Sequence, residues 1–113
     1  MPNSGSRLMY RANFNQSLSE VVLPIGLYLV SFGENYNRTL EHIRLPLTLR
    51  SLIFGNCFNQ SMKKVEIPWG LQNLWFGRDF NQPLEEITLP YSLRSLKVGD
   101  DSVQLTAEGG LVT

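Results

Sequence analysis

The sequence predicts an all-β or β-rich solenoid: a right-handed coil of about four to five 22-residue units with a parallel sheet. Three observations predict it. An aromatic residue followed by asparagine returns every 22 residues with no insertion or deletion, at Phe14-Asn15, Tyr36-Asn37, Phe58-Asn59 and Phe80-Asn81. An apolar residue followed by proline keeps the same register at Leu23-Pro24, Leu45-Pro46, Ile67-Pro68 and Leu89-Pro90. An apolar residue followed by glycine does so again at Phe32-Gly33, Phe54-Gly55, Phe76-Gly77 and Val98-Gly99. A fixed period of this length marks an array whose units bury their apolar sides only by stacking on one another.

In chain order, residues 1–13 form an N-terminal segment and half coil, because Leu8 and Tyr10 fall on the Val30 and Phe32 columns. Four repeats follow over 14–35, 36–57, 58–79 and 80–101. At Ser102-Val103 the aromatic-asparagine pair is lost, so residues 102–113 read as a cap or tail, with Gly109-Gly110 a flexible stretch. Each repeat carries two short segments of alternating apolar residues, the mark of strands. The first places Val21/Leu23, Ile43/Leu45, Val65/Ile67 and Ile87/Leu89 inward; the second does so with Val30/Phe32, Leu52/Phe54, Leu74/Phe76 and Leu96/Val98. At least one of the two segments in each repeat forms the parallel sheet, and the other is expected to add a second, short-strand sheet on the opposite side. Proline ends the first segment because it has no N–H for a ladder. Glycine after the second supplies either a positive φ or a close backbone approach. Stacked strands lie about 4.8 Å apart, which closes core columns such as Phe14/Tyr36/Phe58/Phe80 and Leu18/Leu40/Met62/Leu84.

These units resemble the FNIP repeat, a leucine-rich-repeat-like family. Its Phe-Asn-Gln-Pro-Leu signature stands at residues 80–84 and its Leu-Pro-x-Ser-Leu segment at residues 89–93, and the likeness covers about residues 8–101. Departures are mild: Tyr36 and Arg38 replace Phe and Gln, Met62 replaces Leu, and Gly26 replaces Ser. The resemblance implies a curved solenoid of the kind found in protists and giant viruses, with a role in protein–protein interaction and no catalytic activity of its own.

Composition narrows the function classes. Ten basic and ten acidic residues cancel, whereas a nucleic-acid binder needs a basic excess to neutralise phosphates, so no nucleic-acid partner is expected. The longest weakly charged run, residues 21–32, is too short and too broken by Pro24 and Gly26 for a bilayer span, and no direct membrane insertion is expected. No apolar signal core stands near Met1, and a lone cysteine, Cys57, suits a reducing compartment; an intracellular setting, cytoplasmic or organellar, is favoured. With His42 the one histidine, a protein-only zinc site is not expected, nor any other metal or cofactor.

Chemistry candidates are weak. The column Asn15/Asn37/Asn59/Asn81 reads as a structural ladder satisfying backbone groups of the next coil. Three of its members also match the glycosylation sequon, a consequence of the repeat itself. His42 lies in an outward column beside the alternating charges of Ser19/Glu41/Lys63/Glu85, which reads as a solvated ladder rather than a catalytic base with its nucleophile. Cys57 sits at a bend, and Asp100-Asp101 is too small a group for calcium.

Binding signals lie in apolar residues where the pattern calls for exposure. Ile25/Leu47/Trp69/Tyr91 follow the proline in every repeat and either fold over a corner of the core or stand out as a stripe. Ser31/Ile53/Trp75/Lys97 point outward from the strand and put Ile53 beside Trp75, with Asn73 and Arg78 nearby. Such anchors concentrate interface energy. The chain therefore reads as a non-catalytic interaction module with Ile53 and Trp75 at the centre of its face. The alternative is a small structural subunit fixed in a large, organellar-type assembly, docked through an open coil end.

Overall fold

The computed structural model describes residues 6–105 and 111. Six strands form one sheet in chain order: β1 Ser6–Met9, β2 Leu27–Ser31, β3 Ser51–Ile53, β4 Asn73–Phe76, β5 Ser95–Val98 and β6 Asp101–Val103. The first five run parallel and β6 turns back antiparallel to β5. The 22-residue period becomes the register, since Val30 faces Leu52, Leu52 faces Leu74 and Leu74 faces Leu96. Inward members of this column are fully buried, as period-two alternation demands.

Two aromatic ladders fill the coil beside the sheet. Tyr10, Phe32, Phe54 and Phe76 stack at centroid spacings of 5.2–5.3 Å. Phe14, Tyr36, Phe58 and Phe80 stack alongside at 5.8–6.2 Å. Within a coil the two ladders touch at 3.8–4.4 Å, with rings nearly parallel throughout. One ring per coil in each ladder follows from the exact repeat, and the burial of large aromatic faces supplies much of the core's apolar area.

The glycine column works by close approach. A Cβ on Gly33 would collide with the carbonyl oxygen of Arg11, one on Gly55 with that of Gly33, and one on Gly77 with that of Gly55. Here the bend of each coil lies on the bend before it, tied by Asn35, Cys57 and Asp79 amides donating to Ala12, Glu34 and Asn56 carbonyls at 2.9–3.0 Å. Only at Gly99 does the column need a positive φ, of 61°, to reverse the chain into β6.

The expected second sheet is not formed among the described residues. Each first segment is bracketed by turns instead. The amides of Val21, Ile43, Val65 and Ile87 donate three residues back to Leu18, Leu40, Met62 and Leu84, and in the last repeat this turn tightens to a 3-10 helix, Leu84–Glu86. The proline carbonyls of Pro46, Pro68 and Pro90 accept from Leu49, Leu71 and Leu93. Between these two turns too few residues remain to pair with a neighbour. Val21, expected inward, is 43% exposed, whereas its equivalents Ile43, Val65 and Ile87 are buried.

Candidate functional site: an apolar corner and the outer strand face

The post-proline residues stand outside the core. Ile25, Leu47, Trp69 and Tyr91 are 74–88% exposed, and Val22 adds to them at the first repeat. Turn geometry explains this. In the second, third and fourth repeats the proline carbonyl accepts from the amide three residues on and closes the turn, and residues 25–26 form a turn at the same place in the first, so the residue after proline occupies its apex. The next position is held to the preceding coil instead: the Thr48 hydroxyl donates to the Leu27 carbonyl at 2.6 Å, and that of Ser92 to the Leu71 carbonyl at 2.6 Å. An apex side chain finds no wall to pack against and projects. Repetition every coil lines the four up as one stripe.

Beside the stripe lies a groove of about 1050 Å³, with Val21, Val22, Ile25, Leu47 and Trp69 on its apolar wall. Glu41, His42, Arg44 and Glu66 supply its polar wall. Charged side chains of both signs and apolar side chains thus line the same groove.

The outer strand face is differently built. Ile53 and Trp75 are register neighbours, as expected, but both are half-buried. The Trp75 indole N–H donates to Ser95 Oγ at 2.9 Å, and the Lys97 ammonium sits 4.3 Å from its ring centroid. Asn73 Nδ2 donates to Ser51 Oγ at 2.9 Å, so its amide serves the strand ladder. Arg78 is exposed on the bend beyond Gly77, where its backbone N–H donates to Asn56 Oδ1 at 3.0 Å. The strand-face residues thus spend part of their binding capacity on one another, and the stripe residues do not.

The asparagine column runs along another edge. Oδ1 of Asn15, Asn37 and Asn59 accepts from the backbone N–H of Asn37, Asn59 and Asn81 at 2.8–2.9 Å. Gln60 and Gln82 reinforce it, each donating to the side-chain oxygen of the asparagine one coil back. The ladder lies at the surface rather than in the core, with Asn15 and Asn81 exposed. His42 is exposed and Cys57 half-buried with a free thiol. No group of three His, Cys, Asp or Glu able to hold a metal ion occurs among the described residues. None of the described helices is long and apolar enough to cross a membrane. Gly109 and Gly110 lie outside the described residues.

One core feature escaped sequence reasoning. Tyr36 stands in a column otherwise of Phe, and its hydroxyl is buried with no hydrogen-bond partner. Burial, with a smaller contribution from Tyr10, pushes its pKa up to about 12. The departure from Phe was visible; the missing partner was not.

The family model of the FNIP Repeat matches residues 14–57 and 58–101, which takes in all four repeats in the register of the strands and ladders above. The chain belongs to the FNIP repeat family. Among solved structures, this FNIP chain is similar to CroV588, described as a novel circular LRR protein. The two share 36% identity with a TM-score of 0.62, over 93% of this chain and 19% of that one. The chain therefore spans about a fifth of that structure's length, and the fold it shares is leucine-rich-repeat-like. A comparison with curated proteins finds no match.

Proposed function

We propose that this FNIP chain is a non-catalytic protein-binding module whose contact surface is the post-proline corner. The observation that carries the reading is the stripe of Ile25, Leu47, Trp69 and Tyr91, apolar in every repeat and held at turn apices away from the core. Leaving four large apolar side chains in water is a cost repeated coil after coil, and a partner that covers them recovers it. Trp69 is the anchor, because tryptophan carries the largest share of interface energy where it enters a pocket. Ile53 and Trp75, with Asn73 and Arg78, extend the contact onto the sheet.

The test is capture of native partners on the immobilised chain and on the Leu47→Ser/Trp69→Ser variant, read by mass spectrometry. The wild type is expected to retain a defined protein that the variant loses roughly thirtyfold, with thermal unfolding unchanged. Equal retention by both chains would overturn the corner as the contact surface. The reading of a fixed structural subunit is favoured by a different feature, the partly exposed Tyr10, Phe14 and Val21 of the first described coil, and would show as stoichiometric companions that survive the variant.

A further inference from the structure

On its sheet side the post-proline corner carries a cation set in place by a missing side chain. We propose that the corner takes a protein segment bearing both apolar and acidic side chains, with Arg50 beside Trp69 clamping one carboxylate and Arg94 meeting a second. This rests on the corner being the contact surface and adds the chemistry of what it binds.

The column that follows the stripe reads Gly26, Thr48, Gly70 and Ser92. Thr48 and Ser92 each place a hydroxyl on a leucine carbonyl of the coil before, Leu27 and Leu71 respectively. Gly70 has no hydroxyl for the equivalent carbonyl, that of Leu49. There Arg50 Nη1 donates instead, at 3.2 Å, and it also reaches the Leu47 carbonyl at 3.3 Å. The exchange is steric, because a Cβ on Gly70 would collide with Arg50 Nη1 and Cζ. Gly70 takes no positive φ, unlike Gly26 at the same place, so its bare Cα serves space and not turn geometry. The guanidinium therefore lies against the backbone between Leu47 and Trp69, two members of the exposed stripe. Holding Nη1 orients the fork, and among the described residues no acceptor takes Nε or Nη2. A planar guanidinium with that edge free meets a carboxylate through paired hydrogen bonds.

The surrounding charge selects the same partner. Arg50, Gln72 and Arg94 form one column, the Gln72 amide donating to the Arg50 carbonyl and the Arg94 amide to that of Gln72. Two strand spacings put Arg50 and Arg94 about 10 Å apart at their backbones. Strands β1 to β5 together with this column hold Arg7, Arg50, Arg94 and Lys97 and no acidic residue, although the chain as a whole is neutral. Arg7 and Lys97 are engaged over the rings of Tyr28 and Trp75, whereas Arg50 and Arg94 are exposed. Acidic residues stand beyond the far ends of the strands, at Glu34, Asp79 and Asp100, or across the stripe, where Glu41 and Glu66 are balanced by Arg44. A flank of one sign favours a segment of the other and repels its like.

A phage library of random dodecapeptides, selected on the immobilised 113-residue chain, tests the proposal. Enrichment is expected for sequences that combine aromatic or aliphatic residues with Asp or Glu. Arg50→Gln should weaken the best enriched peptide about tenfold, and changing its acidic residue to the amide should do the same on the wild type but nothing further on Arg50→Gln. Gly70→Ser guards against a merely structural effect. Its hydroxyl can cap the Leu49 carbonyl as Ser92 caps that of Leu71, so the unfolding temperature should hold while the displaced guanidinium lowers affinity several-fold. Apolar sequences with no acidic enrichment, lost on Leu47→Ser/Trp69→Ser, would leave the corner standing and overturn the clamp. Acidic sequences that bind Leu47→Ser/Trp69→Ser as well as the wild type would overturn clamp and corner together. The proposal also falls if no sequence is enriched, or if the enriched peptide is blind to both Arg50→Gln and Gly70→Ser. Displacement of the peptide by inorganic polyphosphate at equal charge concentration would overturn it too, showing a general anion site.

Discussion

Compared coil for coil, the N-terminal and C-terminal ends of this solenoid carry the same residue types in different surroundings. At the C-terminal end β6 folds back on β5, and Val103, Leu105 and Leu111 lie against the core, so Phe80, Ile87 and Leu96 are as buried as residues in the middle. At the N-terminal end no such return occurs among the described residues, and Tyr10, Phe14 and Val21 keep part of their surface in water. The comparison teaches that burial in a repeat array belongs to the neighbour as much as to the residue. A column position is core only where the chain packs on both sides of it, whether as a further coil or as a strand folded back.

The largest expected effect sharpens this contrast directly. Phe58→Ala, in the fully buried middle of its ladder, should cost about 3–5 kcal/mol. Phe14→Ala removes the same side chain from the partly covered end and should cost about half as much, both read by denaturant unfolding. Equal losses would break the claim that neighbours set burial. Next comes the glycine column: Gly55→Ala drives a methyl into the backbone of the coil before it and should destabilise by about 1–3 kcal/mol, because backbone cannot step aside.

Tyr36→Phe runs the other way. Deleting a buried hydroxyl with no partner should stabilise the chain by about 1–2 kcal/mol. The same variant carries a pH signature. Because Tyr36 holds its proton up to about 12 in the folded chain against 10.0 ordinarily, the unfolded chain ionises first as pH rises. Its contribution is intact below pH 10 and is lost progressively from there to about 12. Urea unfolding through that window should show a steeper alkaline fall for the wild type than for Tyr36→Phe. Parallel curves would mean the hydroxyl is not buried as described. The smallest effect belongs to the asparagine ladder. Asn37→Ala removes the acceptor for the Asn59 amide and should cost about 1 kcal/mol, and Asn81→Ala, at the last step of the ladder, should cost less.

Much of the fold was legible because a strict period states each contact four times. The strand columns, both aromatic ladders and the asparagine ladder follow from residues spaced by 22, since the register repeats that spacing. The second sheet was misjudged because alternation in Ile43/Leu45 looks the same whether the segment pairs or merely spans two turns; the turn bonds to Leu40 and from Leu49 decide it. Exposure of the post-proline column was open for a related reason. An apolar residue after proline sits inward or outward according to where the turn closes, and only the Pro46, Pro68 and Pro90 carbonyl bonds place it at the apex. On the strand face, Ile53 beside Trp75 was legible, but the cover from Ser95 and Lys97 was not, because it depends on side-chain reach across strands. The C-terminal return was invisible as a strand, since residues 101–103 have left the repeat and nothing in the period predicts an antiparallel partner.

The most direct test of the binding corner is the fluorescence of Trp69 in a Trp75→Phe chain as the captured partner is titrated. Free, the lone indole should emit as a water-exposed group and be readily quenched by acrylamide. On binding, the expected result is a blue shift with loss of quenching, because the anchor leaves water. Saturated binding with emission and quenching unchanged would contradict the account and move the contact off the post-proline stripe.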